Sequence, residues 1–298
     1  MAIKRSKARR NPRPMPPPRA AAPEKARRQF QPSALFVGSV EKGLRVLTAF
    51  DVARRPMRLG EIASATGLDM SAAQRFTATL EALGFLRKDE FKRYHVTPKV
   101  FQLGFAYLQS ETSIDTAVPF MQEAHRDCEE SVNFTQIDGI DVVWVVRLPS
   151  LHAVSVDVSV GARFPAYCTA PGRAILAHLP PAQALDILQR SNRAHLTPHT
   201  KTDLGHILKA IEAARRDGVA VSNQECFLGD ISTAAPVFDG SGQVLGAINI
   251  AVPASRWTQE QVSLRLSPLI ARTAAAISAA HRARAEREPA LPQRAKAG

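Results

Sequence analysis

The sequence predicts an α+β chain with a small helical N-terminal domain and a larger domain built on an antiparallel sheet. Three observations carry this. Between residues 39 and 97, three short stretches of helical periodicity precede two alternating stretches around a polar turn. From residue 113 onward, pairs of alternating apolar stretches joined by tight turns are interspersed with helical ones. Charge also shifts along the chain. The 298 residues carry 39 Lys+Arg against 27 Asp+Glu, yet residues 113–279 hold thirteen basic and sixteen acidic side chains, so the excess of cations lies outside the larger domain.

Residues 1–33 hold ten basic side chains, one acid (Glu24) and seven prolines. The prolines forbid the amphipathic helix of a transit peptide, and the apolar core of a secretion signal is missing. The segment reads as a disordered basic arm, either a solvated tail or a non-specific partner for a polyanion.

Helical spacing begins near Ser39, a candidate N-cap, with Val40, Leu44, Leu47 and Phe50 expected inward. Pro56 interrupts it. Leu59 to Thr66 forms a second helix with Ile62 and Ala63 inward, and Gly67 ends it. Asp69 caps a third helix to about Leu83, with Ala73, Phe76, Leu80 and Leu83 inward. Phe85–Lys88 and Arg93–Val96 then form a β-hairpin around Asp89–Lys92. Two helices meeting near a right angle need a small residue and a glycine in their turn, and Ala63 and Gly67 supply them. Three helices and a hairpin make residues 34–97 a winged helix-turn-helix, whose partner is double-stranded DNA. Ser71, Ala72, Gln74 and Arg75, opposite the inward face of the third helix, are expected to face the major groove. Arg87, Lys88, Lys92 and Arg93 on the wing are expected to meet phosphates.

Residues 98–112 read as a linker helix. Val100, Phe101, Leu103, Phe105, Tyr107 and Leu108 cover more than one face, as suits a helix buried between two protomers. The larger domain spans 113–282. Ile114–Glu130 is helical. Ser131–Asp138, Ile140–Leu148 and Ala153–Val158 read as strands. Short helices follow at Gly172–His178, 182–191 and 202–217. Val219–Asn223, Ile231–Phe238 and Gln243–Val252 are strands, and Thr258–His281 is one long closing helix. Residues 283–298 read as a flexible tail.

Little in the chain suggests catalysis. No run of 18 apolar residues exists. Cys128, Cys168 and Cys226 lie too far apart for a zinc ribbon or disulfide framework, which points to a reducing cytoplasm. His195 and His199 have metal-like spacing, but Pro198 breaks the helix that would align them, so no metal is expected. Asp239-Gly240-Ser241-Gly242 resembles a dinucleotide loop, but a strand follows it rather than a helix, so it reads as a hairpin turn. No cofactor is expected. The segment most suggestive of a site is Phe164–Ala174, where small residues enter a helix whose first N–H groups suit an anion.

The ordered series Ser39-Val40-Glu41-Lys42-Gly43-Leu44, Leu59-Gly60-Glu61-Ile62-Ala63 through Gly67-Leu68, Leu80–Leu86, Thr169-Ala170-Pro171-Gly172-Arg173-Ala174 and Ala234–Asp239 resembles the IclR family of bacterial transcription regulators. The resemblance covers about residues 35–280. It implies a winged helix-turn-helix followed by a GAF-like α+β effector-binding domain. It also implies dimers or dimers of dimers, and control by a small metabolite, often a carboxylic or aromatic acid. Family pocket positions fall on Ala170, Pro171, Ser222, Ser232, Asn249 and Ala251. Some members carry an acid where Ser222 stands and hydroxyls where Asn249 and Ala251 stand. At the start of the recognition helix, Met70-Ser71-Ala72 replaces the frequent Lys-Ser-Thr. The expected effector site therefore comprises Tyr167, Thr169, Ala170, Gly172, Arg173, Ser222, Ser232 and Asn249. Gly172 and Arg173 would donate N–H groups, and Tyr167, Cys168 and Phe227 would form an apolar wall. Two other readings stay open at this point: an enzyme acting through the α+β domain, and a nucleoid-type protein held by its arm.

Overall fold

A computed structural model describes residues 34–156 and 158–287. The arm at 1–33 and the residues beyond 287 lie outside the described residues.

The N-terminal domain begins with α1 (Gly38–Ala53), followed by β1 (Met57–Arg58), α2 (Leu59–Thr66) and α3 (Met70–Ala82). The hairpin β2 (Leu86–Lys88) and β3 (Arg93–Val96) completes it. Gly67 takes the left-handed conformation (φ 65°) that closes α2, and its N–H returns to the end of that helix. Asp69 caps α3 by accepting from the N–H of Ala72. Val46, Phe50, Met57, Ile62, Leu80 and Leu86 form the core.

Four details differ from the sequence reading. Leu83, expected inward on α3, is exposed and stands at its C-cap. Helix α1 starts one residue before Ser39, so Val37 holds the N-cap position, without a side-chain bond. Val40 and Leu44 do not face inward. They are exposed, and Val46, Ala49 and Phe50 make the buried face instead. The extra strand β1 is only two residues long, too short to show an alternation, and it pairs with β3 through Met57 and Tyr94.

A 3₁₀ turn (Pro98–Val100) leads into α4 (Phe101–Ser110) and then α5 (Thr112–Cys128). The larger domain contains a six-stranded antiparallel sheet. Its strands are β4 (Ser131–Asp138), β5 (Asp141–Leu148), β6 (Arg163–Pro165), β7 (Ala220–Asn223), β8 (Asp230–Phe238) and β9 (Val244–Pro253), in the order β6-β5-β4-β9-β8-β7. The turn at Asp239–Gly242 joins β8 to β9, and Asp239 accepts the N–H groups of Ser241 and Gln243. One face of the sheet is covered by α6 (Ala170–Leu176), α7 (Pro181–Arg190) and α8 (Leu204–Asp217). The other is covered by α5 and a closing segment made of α9 (Gln259–Gln261), a π-helical stretch (Val262–Leu266) and α10 (Ser267–Arg287). The long closing helix read from the sequence is thus continuous from 259 to 287, with π-helical turns at Val262–Leu266, and residues 283–287 of the expected tail belong to it.

Strand alternation divides two cores. Val132, Phe134, Ile248, Ile250, Val252 and Ile231 face α5 and α10. Asn133, Asn249 and Ser232, one residue out of phase, face the α6 side. Residues 153–156 and 158 are not in a strand, although their valines alternate. Residues 163–165 supply the edge strand beside β5 instead.

Candidate functional sites

On the N-terminal domain, Ser71, Gln74 and Arg75 are exposed on the first turns of α3, and Ala72 is half-buried. Gln74 lines a concave surface with Arg58 at the start of α2 and with Lys88 and Lys92 on the wing. Arg58 was not singled out in the sequence, because the two-residue strand that places it there was invisible. Arg87, Lys88 and Lys92 are exposed. Lys88 lies over the Tyr94 ring, 5.4 Å from its centroid.

Arg93 does not stand ready as a simple phosphate contact. Its Nε donates to Asp89 Oδ2 at 2.8 Å, and its guanidinium lies over Phe91. Asp89 also takes the backbone N–H groups of Phe91 and Arg93 and meets the His95 ring at 2.9 Å. Burial pushes this carboxyl up, but the bonds from His95 and Arg93 win and hold it below the usual carboxylate range. The wing turn is therefore built around an ionised aspartate, and part of the Arg93 charge is offset within the wing.

In the larger domain a narrow cavity lies between the sheet, the start of α6 and the segment carrying Val156 and Val158. Its polar lining includes Arg147, Asn133, Asn249, Ser232, Ser222 and Asp230. Strand register explains the grouping. Arg147 on β5 stands opposite Asn133 on β4, which stands opposite Asn249 on β9. Ser222 stands opposite Ser232. Directly opposed side chains on one face approach within about 5 Å. Arg147 donates to Asn133 Oδ1 (3.2 Å) and to the Val156 carbonyl (2.6 Å). Asn249 Nδ2 donates to Ser232 Oγ (3.1 Å). Ser222 donates to the Cys168 carbonyl (3.0 Å). Apolar walls come from Trp144, Phe227, Val156, Val158 and Pro171. Trp144 meets Phe164 edge-on, and Phe164 in turn meets Phe227, so the aromatic wall is fixed from behind.

Of the residues expected here, Thr169, Ala170, Pro171, Ser222, Ser232, Asn249, Ala251 and Phe227 do line the cavity. Tyr167, Cys168, Gly172 and Arg173 do not. Tyr167 is buried and donates its hydroxyl to the Ala194 carbonyl (2.6 Å). The Gly172 N–H is taken by Thr169 Oγ1 and the Arg173 N–H by the Thr169 carbonyl. With Pro171 lacking an N–H, the start of α6 is capped by its own chain and offers no such anion site. Gly172 is needed for another reason: a Cβ there would sit 2.2 Å from the Ala166 carbonyl oxygen. The Arg173 side chain is 1% exposed and makes a two-pronged pair with Glu225 (2.7 and 2.6 Å), so it knits α6 to the β7–β8 connection.

The sequence reading missed Arg147, Asn133 and Asp230. A signal existed for the first: a lone cation in the apolar run Asp141–Leu148. Asp230 opens β8 and is buried; burial pushes its carboxyl up to about 7, against the pull of Arg147.

A winged helix-turn-helix joined to an α+β domain that carries a small polar cavity defines a DNA-binding protein with a second, cavity-bearing domain. The IclR helix-turn-helix domain matches residues 39–90, and the C-terminal domain of bacterial IclR transcriptional regulators matches residues 105–279. The chain belongs to the IclR family of transcription regulators, a family of regulators rather than enzymes. It is 33% identical over 257 residues to the Pca regulon regulatory protein of Pseudomonas putida, covering 86% of this chain and 88% of that one. It is 28% identical over 244 residues to the p-hydroxybenzoate hydroxylase transcriptional activator of Acinetobacter baylyi, covering 80% and 90%. Among solved structures, a putative transcriptional regulator from Rhodococcus sp. RHA1 superposes with a TM-score of 0.72 at 34% identity, covering 83% of this chain and 98% of that one. Among the described residues, no helix is long and apolar enough to cross a membrane.

Proposed function

We propose that this regulator binds DNA as a dimer and that its DNA affinity is set by a small organic acid in the Arg147 cavity. The observation that carries the effector reading is a row of polar side chains, headed by one cation, set beneath an aromatic wall inside an otherwise apolar core. Buried polar groups are expensive there unless something uses them. The two curated relatives support an aromatic acid as the first class to test, since one of them activates transcription of a p-hydroxybenzoate hydroxylase.

The cavity is tight, about 20 Å³, room for one water molecule. An aromatic acid needs far more, so binding must widen it. The segment from 149 onward is the part to move. It is tied at its base by Ser150 to Glu130, and further along the Arg147 guanidinium holds the Val156 carbonyl. A ligand that claims Arg147 releases Val156, and that is how occupancy can change the shape of the domain. Dimerisation accounts for the exposed apolar stripes on α1 and its N-cap (Val37, Val40, Leu44) and on α4 (Phe101, Leu103, Phe105), which water would otherwise face. In this reading Ser71, Gln74 and Arg75 read bases, and Arg58, Arg87, Lys88 and Lys92 hold phosphates. A thermal-shift screen of aromatic and aliphatic acids, followed by footprinting, tests it. The expected outcome is a raised melting temperature with one class of acid and two protected half-sites. Absence of any stabilising acid, or protection of a single half-site by a monomer, overturns it.

A further inference from the structure

At the tip of the wing, Phe91 is 58% exposed between Asp89-Glu90 and Lys92-Arg93. Its backbone is fixed. Asp89 Oδ1 accepts the N–H groups of Phe91 (3.0 Å) and Arg93 (2.8 Å), and Lys92 takes the left-handed conformation (φ 59°) that closes the turn. Its ring is backed as well. The Arg93 guanidinium lies 5.0 Å from the ring centroid, and Asp89 Oδ2 holds the Arg93 Nε. Arg93 thus serves the ring rather than a phosphate. A single exposed apolar side chain is ordinary on a protein surface, but one held through both its backbone and its ring is presented to something. Phe91 lines the same concave surface as Gln74, Arg58, Lys88 and Lys92, so it faces the side on which DNA docks. Glu90 lines that surface too and repels phosphate. The tip is therefore no backbone clamp, and the cations Lys88 and Lys92 on either side of it take that part.

We infer that Phe91 is an apolar wedge that enters the minor groove beside each half-site and opens a base step there. This rests on the docking face proposed above, with α3 in the major groove. Grooves alternate along the duplex, so a wing that shares a concave surface with α3 meets the minor groove next to it. A phenyl ring has no hydrogen-bonding group and cannot read a base edge. It can pack against sugars and slip between bases, as apolar wedges do. Opening a step costs stacking energy, and the cost is least at the pliable pyrimidine–purine steps, TA and CA/TG. Phe91 therefore sets specificity at positions that no side chain hydrogen-bonds, and it bends the operator, by about 20–90° for wedges of this kind.

The test uses the full-length protein and a duplex that the parent selects from a random-sequence pool. Selected duplexes should carry TA or CA/TG steps at two symmetric positions beside the half-sites. A 2-aminopurine at the adenine of such a step should brighten when the parent binds, and circular-permutation gels should show a bend. Phe91→Ala should bind this duplex about tenfold or more weakly, the size of one ring packed on bases, and should lose both the brightening and the bend. Its salt slope should not change, since no cation is lost, which separates the ring from Lys88 and Lys92. Phe91→Leu keeps an apolar wedge and should restore much of the bend and the brightening, whereas a ring that merely stacks on Arg93 would move neither. The measurements on the parent test the inference even if a variant fails to fold. A selected duplex that the parent leaves unopened and unbent overturns the inference. So does Phe91→Ala binding and bending DNA like the parent, or a change of oligomeric state in Phe91→Ala without DNA, which would assign the ring to a protein contact. These results leave the docking face standing. If Gln74→Ala and Lys88→Ala also bind the selected duplex like the parent, the docking face is wrong and both fall.

Discussion

Replacing Asp230 by Asn should make the protein more stable, and increasingly so as pH rises. The carboxyl sits at about 7 in the folded chain and near 3.8 when solvated. Below pH 4 both states hold the proton. Between pH 4 and 7 the folded state holds a proton that the unfolded state has released, so stability falls by about 1.4 kcal/mol per pH unit. Above pH 7 both are ionised and the full cost remains, about 4 kcal/mol for a shift of roughly three units. Asn cannot ionise and is nearly the same shape. The stability difference between variant and parent should therefore grow by about 3 kcal/mol from pH 4.5 to 8. Urea unfolding at fixed protein concentration across that range reads it. Only the pH-dependent part of the difference belongs to this carboxyl, since the histidines titrate alike in both proteins. A difference that does not change with pH, or changes by less than about 1 kcal/mol, would refute the reasoning.

Three further outcomes follow from the geometry. Arg173→Ala leaves the buried Glu225 with only the Lys201 N–H and ammonium and should cost about 3–5 kcal/mol in chemical unfolding, whereas breaking an exposed pair such as Arg190–Asp186 should cost less than about 1. Gln74→Ala should cost about 1–3 kcal/mol at the cognate site and nothing on random DNA. Lys88→Ala or Lys92→Ala should instead weaken both DNAs and lower the salt slope by about 1, all read by fluorescence anisotropy. The double change Leu44→Asp with Leu103→Asp should give monomers in sedimentation and abolish tight operator binding, and a persistent dimer would place the interface elsewhere.

The winged helix-turn-helix was legible because its signals are local. Gly67, the Asp69 cap and the Asp89–Lys92 turn each act within a few residues, so periodicity and turn chemistry find them. The inward face of α1 was misread because Val40 and Leu44 share the helical spacing of Leu47 and Phe50 yet stay exposed; sequence periodicity cannot tell an apolar side chain in a core from one on a surface. The cavity was half legible. The resemblance led to Thr169, Ser232 and Asn249, but the helix-start argument for Gly172 and Arg173 failed, because nothing in the sequence shows that Thr169 caps its own helix and that Glu225, 52 residues away, claims the Arg173 guanidinium. Arg147, Asn133 and Asp230 meet only through strand register, a non-local fact. Arg147 still left a trace, since a lone arginine in an apolar strand must have a partner.

The account turns on coupling between the cavity and the DNA-binding surface. The most direct test is operator affinity of the full-length protein with and without a saturating concentration of the acid that stabilises it most in the thermal-shift screen, in the parent and in Arg147→Gln. The account predicts a change of at least tenfold in the parent, about 1.4 kcal/mol of coupling, and none in the variant. A ligand that binds the parent and leaves operator affinity unchanged, or shifts it equally in Arg147→Gln, would contradict it.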